Sequence, residues 1–148
     1  MSTSAEASGS TAAPPSPWPR RRARILAVIG GTAAAVVVWL VAKFAFDVEL
    51  RGAQPGTSSV VDIGPQYVIF SAVAYSLLGW ALLAILERFV ARARTIWTWI
   101  ALAVLVLSFA SPLTAQSMTG GTKLALSIMH VAVAAVVIPI FARTSPRS

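Results

Sequence analysis

From Ile25 to Phe46 the chain carries a single charged side chain, Lys43, among residues that are otherwise apolar, small or hydroxylated. A helix rises about 1.5 Å per residue, so a segment of this length reaches about 33 Å, enough to cross a hydrocarbon core of about 30 Å. Basic residues followed by an apolar stretch also open secretory signal peptides, but those apolar cores run to roughly 7–15 residues. This one is longer, lacks a clean small-x-small cleavage site and precedes further apolar stretches, so it reads as an uncleaved membrane span. Three more spans are expected at residues 67–86, 95–111 and 122–142, the third being the shortest. The predicted fold class is therefore all-α, a four-helix transmembrane bundle occupying residues 25–143.

Composition supports a lipid-facing exterior. Hydrophobic residues make up 57% of the chain and charged residues 11%, with mean hydropathy +0.76. A soluble domain carries about 25% charge because water must wet its surface. The net charge of +7 is gathered into short runs beside apolar stretches, where anionic headgroups attract it. It does not form a stripe on a polar domain, so no nucleic-acid partner is expected. There is no cysteine, which removes disulfides, thiolate metal sites and thiol redox chemistry.

Residues 1–24 read as a disordered tail of Ser, Thr, Ala, Gly and Pro that closes with Arg20, Arg21, Arg22 and Arg24. The connections are marked by Gln54-Pro55-Gly56 and Gly64-Pro65, by the charged run from Glu87 to Arg94, and by Pro112 with Gly120-Gly121. Residues 144–148 form the C-terminus. The tail, the second connection and the C-terminus together hold nine Lys or Arg residues: Arg20, Arg21, Arg22, Arg24, Arg88, Arg92, Arg94, Arg143 and Arg147. The opposite flanks hold Arg51 and Lys123, with Lys43 just inside the membrane. By the positive-inside bias both termini are expected in the cytoplasm, and the location expected is the cell membrane. Trp97 and Trp99 then open the third span at the inner interface, and Phe44, Phe46 and Tyr67 lie near the outer one. Within the first outer loop, residues 46–51 alternate apolar and polar and residues 59–63 can oppose them. Both a short hairpin and an irregular loop fit this pattern.

Small residues and hydrogen-bonding side chains mark the packed faces of helices in lipid. Such stripes are Gly30/Ala34 and Gly31/Ala35 in the first span. The second has Ser71, Tyr75 and Gly79, with Ala72 and Ser76 one position round. The fourth has Ser127, His130 and Ala134, with Lys123 a turn above. All are expected to face the bundle interior. In the predicted orientation the intramembrane polarity lies in the outer half, so His130, Tyr75, Lys43, Ser71 and Ser127 form the candidate polar site. His130 reads either as a proton-sensitive or ligand-binding group facing Tyr75, or as an imidazole bonded across helices. Lys43 reads as a contact for substrate charge, or as a snorkelling lysine paired with Asp47 and resting on Trp39. Asp47, Glu49 and Asp62 are too dispersed for a metal site. One histidine with no second axial ligand does not make a haem site. No cofactor and no catalytic residue is expected. Pro139 is expected to kink or end the fourth helix.

One ordered set of segments carries a family resemblance. The run from Gly79-Trp80-Ala81-Leu82-Leu83 to Leu86-Glu87-Arg88 leads through Ala91-Arg92-Ala93-Arg94 to Ile96-Trp97-Thr98. Ser108 with Pro112, Leu124-Ala125-Leu126, Met129-His130 and Ile138-Pro139 follow. The pattern resembles a family of small bacterial four-helix membrane proteins classed as a domain of unknown function, over roughly residues 20–143. The resemblance implies a bundle in the cytoplasmic membrane and carries no activity. The residues favour a non-enzymatic structural or accessory membrane component. The alternative is a protein that binds or transports a small molecule or lipid through the outer-leaflet polar site. Expected partners are the lipid bilayer and either a second copy of the chain or another membrane protein.

Overall fold

A computed structural model describes residues 18–53, 60–110 and 118–145. Four helices form an all-α bundle: α1 (Trp18–Phe44), α2 (Pro65–Phe89), α3 (Ala93–Ser108) and α4 (Gly120–Thr144). Between α1 and α2 lies a two-stranded hairpin of β1 (Arg51–Ala53) and β2 (Val60–Asp62). Three helices, α1, α2 and α4, are long and apolar enough to cross a membrane, whereas α3 is shorter. At 16 residues α3 spans about 24 Å, less than a full hydrocarbon core.

The boundaries depart from the expectation most at α1. The arginine run assigned to the tail is helical, because α1 begins two turns earlier, at Trp18. Pro19 sits in its first turn, where a proline has no intrahelical bond to forfeit. The remainder of the expected tail lies outside the described residues, as do Gln54-Pro55-Gly56, Pro112 and residues 146–148. At its other end α1 stops before Asp47, which takes a left-handed φ of 48° and lets the Val48 N–H return to the Ala42 carbonyl at 2.9 Å. Pro139 does not end α4, which continues to Thr144.

The loop expected on the outer side forms a hairpin. Its antiparallel register pairs Arg51 with Asp62, Gly52 with Val61 and Ala53 with Val60. The Arg51 Nε–Asp62 Oδ1 contact of 3.1 Å reinforces the first pair. The hairpin is tied to the helices beneath it. Trp39 Nε1 donates to the Ile63 carbonyl at 2.8 Å, and the buried Thr122 hydroxyl donates to the Glu49 carbonyl at 2.9 Å. Thr119 caps α4 through the Thr122 N–H.

The helices close in a ring, with α1 packed mainly on α4 and on α2, and α3 bridging α2 and α4. The α1–α4 contact is a steric fit. Ala27, Gly31 and Ala35 recur every four residues along α1 and are all buried. A Cβ on Gly31 would stand 2.9 Å from Val137 Cγ2, so the two backbones approach as closely as glycine permits. The core has two layers. Trp39, Leu50, Val68 and Met129 fill the hairpin end. Leu83, Trp97, Val137 and Phe141 fill the other, with the Trp97 and Phe141 rings 5.6 Å apart. Outside both layers, large apolar side chains such as Leu26, Phe70, Leu78, Val106 and Leu124 are more than half exposed.

Candidate functional site

The structure does not gather the five polar residues singled out from the sequence into one pocket. Tyr75 is 74% exposed on the outer face of α2, and no hydrogen bond links it to His130. His130 is likewise exposed on α4, and its Nδ1 lies 2.7 Å from the Leu126 carbonyl of its own helix. A carbonyl only accepts, so Nδ1 carries that proton and Nε2 is left without a bond among the described residues. Ser71 donates to the Tyr67 carbonyl at 2.7 Å and Ser127 to the Lys123 carbonyl at 2.8 Å. Both hydroxyls thus satisfy themselves within one helix turn. Lys43 is exposed, with Nζ 5.4 Å from the centroid of the Trp39 ring. The ion pair expected with Asp47 does not form, since the left-handed turn at Asp47 follows the end of α1.

On α2 and α4 the rows carrying Tyr75 and His130 are therefore rotated out of the interior. On α2 the buried positions are Val68, Ala72, Ser76 and Leu83. On α4 they are Thr122, Ala125, Met129, Val137 and Phe141. Ser71/Tyr75 and Ser127/His130 stand to the side of these faces. Gly31/Ala35 on α1 and Ala72/Ser76 on α2 point inward as expected, with Gly30 half-buried against Val136.

The polar groups that the fold brings together lie at the opposite, arginine-rich end. Arg24 is 6% exposed. Its Nη2 donates to Glu87 Oε1 at 2.5 Å and its Nη1 to Glu87 Oε2 at 3.2 Å, a two-pronged match of guanidinium to carboxylate. Its Nε donates to the Thr144 hydroxyl at 3.1 Å, and Nη2 also reaches the Thr144 carbonyl at 3.4 Å. Ser145 closes the set by donating to Glu87 Oε1 at 2.6 Å. One cation thus joins the start of α1 to the ends of α2 and α4, where the C-terminal carbonyls of the two helices favour positive charge. The sequence holds one signal for it. Glu87 is the sole acid in the arginine-rich run from Glu87 to Arg94, and a lone carboxylate among cations asks for a partner. Just inside the clasp, Trp97 Nε1 donates to the Gly79 carbonyl at 2.9 Å, fixing α3 to α2.

This arrangement binds helices and satisfies charge, and the residues that compose it lie within a stretch with a defined family match. The family of unknown function DUF6069 matches residues 15–147. The chain belongs to this family. No curated protein and no solved structure gives a match. The DUF6069 match takes in all four helices, the hairpin and every residue of the clasp, so the family unit is the whole bundle.

Proposed function

We propose that this DUF6069 member is a four-pass protein of the cell membrane, with both termini cytoplasmic, acting as a non-enzymatic structural or accessory component. The observation that carries the reading is the outward placement of Tyr75 and His130. Mid-span groups able to form hydrogen bonds face the surroundings of the bundle, where they are costly against lipid alone and useful against a neighbouring membrane protein. Most of the bundle's internal polar groups are consumed in the Arg24–Glu87 clasp, the tryptophan bonds and the Thr122–Glu49 bond. The orientation is supported by the exposed cations Arg20, Arg21, Arg22, Arg88, Arg92, Arg94 and Arg143, all at the end where α1 starts and α2 and α4 finish. The short, apolar α3, packed against α2 and α4, is taken as the remaining pass.

Two experiments test this. Cysteines at Val61 and Gly120 should react with an impermeant maleimide on intact cells, and one at Ala91 only after lysis. The reverse pattern overturns the orientation, and labelling of all three from outside overturns the four-pass arrangement. A photoreactive amino acid at position 75 or 130 should cross-link in vivo to a discrete polypeptide, while the same group at Leu78 should not. Adducts to lipid alone at both positions would refute a role in lateral protein contact.

A further inference from the structure

A furrow runs along the seam between α1 and α2, and its two ends differ in chemistry. At the arginine-rich end is a cleft of about 540 Å³ whose walls include Arg20, Arg21, Trp80 and Ala84 together with the Arg24–Glu87 pair. Arg24 and Glu87 neutralise one another (three cations less one anion), so Arg20 and Arg21 leave the cleft with a net charge of +2. Both are exposed and neither has an acidic partner among the described residues. Toward the middle of the bundle follows a second cleft of about 450 Å³, walled by Ile29, Ala33, Val37, Ile69 and Val73. Its one hydroxyl, Thr32, is already bonded to the Val28 carbonyl at 2.8 Å.

The two clefts share no wall residue but succeed one another between the same two helices. Arg21, Ile25, Val28, Thr32 and Val36 keep to one face of α1 at spacings of three and four residues, and Ile69, Val73, Trp80 and Ala84 lie on the facing stripe of antiparallel α2. From Arg21 to Val37 is about 24 Å at helical rise, while one leaflet of hydrocarbon is about 15 Å deep. The furrow is thus cationic at headgroup level and apolar through more than the depth of a leaflet.

We infer that this furrow binds an anionic phospholipid, its phosphate held by Arg20 and Arg21 and an acyl chain laid between Ile29 and Ala33 on α1 and Ile69 and Val73 on α2. A soluble anion has no use for the apolar length. A second copy docked across a two-fold axis normal to the membrane would set Arg20 and Arg21 against their own equivalents. The inference rests on the bundle lying in a bilayer with its arginine-rich end at headgroup level. The cysteine labelling above tests that premise separately, so a lipid result can fail while the topology stands.

The test is native mass spectrometry of the full-length protein in a non-ionic detergent, offered equal amounts of phosphatidylglycerol and phosphatidylcholine with the same acyl chains. Wild type should retain phosphatidylglycerol preferentially. Arg20→Gln/Arg21→Gln should reduce that preference about 30-fold, from the attraction of an anionic surface for two cations. Arg92→Gln/Arg94→Gln, which removes the same charge at the same end on another side of the bundle, should leave it intact. Ala33→Phe, at an exposed position, should fill the apolar part and lower retention with both arginines present. Equal retention of the two lipids by wild type overturns the proposal. So does an equal loss in the Arg92/Arg94 variant, which would make the attraction a general one. Displacement of the lipid by glycerol 3-phosphate would show a soluble-anion site. Spontaneous disulfide dimers of Ala33→Cys in membranes would show that a second copy covers the furrow.

Discussion

Removing the charge of Glu87 should destabilise the bundle more than its position at a helix end suggests. In Glu87→Gln the guanidinium of Arg24 keeps its two bonds to Thr144 but loses its counter-charge. The Arg24 side chain is only 7% exposed, against 19% for Glu87, so water reaches the stranded cation poorly. Breaking a buried ion pair from one side costs about 3–5 kcal/mol. The partial exposure of Glu87 argues for the low end, about 3 kcal/mol, which is more than a hundredfold in the unfolding constant. Arg24→Met/Glu87→Met, which removes both charges and keeps the side-chain bulk, should recover most of that loss, because no charge is then stranded. The assay is equilibrium unfolding in mixed micelles with rising dodecyl sulfate, followed by helical circular dichroism, on wild type, the two single Met variants, Glu87→Gln and the double variant. Single variants within about 0.5 kcal/mol of wild type would mean the pair behaves as a screened surface contact. Strict additivity in the double variant would mean that Arg24 and Glu87 act independently. Either result refutes the clasp.

Three other substitutions probe the packing. Gly31→Val should force α1 from α4 and cost about 1–3 kcal/mol in the same assay, with partial recovery on adding Val137→Ala; an unchanged unfolding curve would refute the close approach. The Ser76 hydroxyl is buried without a hydrogen-bond partner, so Ser76→Ala should be neutral or slightly stabilising, and a loss above about 1 kcal/mol would reveal a bond that the structure does not contain. His130→Ala should leave bundle stability within about 0.5 kcal/mol of wild type while abolishing any cross-linkable partner contact, and a large loss would place the imidazole in an interhelical bond instead.

Hydropathy made the helices legible, since Ile25–Phe46, residues 67–86 and residues 122–142 each contain a segment that the structure extends by a few residues or trims at one end. Rotation about each helix axis was harder to read. In lipid an apolar side chain is equally at home inside and outside the bundle, so hydrophobicity does not mark the inner face. Hydroxyls mislead for a related reason. Thr32, Ser71, Thr98 and Ser127 each return their proton to a carbonyl four residues back and need no neighbour. Gly31 and Ala35 were informative because small size acts through sterics, which lipid does not imitate. The Arg24–Glu87 pairing depended on knowing that α1 and α2 are neighbours, and the charge count had used Arg24 only as a topological marker.

The tightest helix contact joins the first helix to the last, and the clasp bonds Arg24 to Thr144 across 120 positions of sequence. A nascent chain emptying into the membrane therefore holds α1 with its Ala27–Gly31–Ala35 face uncovered through the synthesis of everything in between, and Arg24 without a partner until Glu87 is made and only half satisfied until Thr144 is. Neither α2 nor α3 offers a substitute, because the valines that meet Gly31 belong to α4. Covering of that face thus waits for α4. A chain interrupted before α4 displays a small-residue face and a buried-type charge to the membrane's quality control, and one that includes α4 conceals both in a single step.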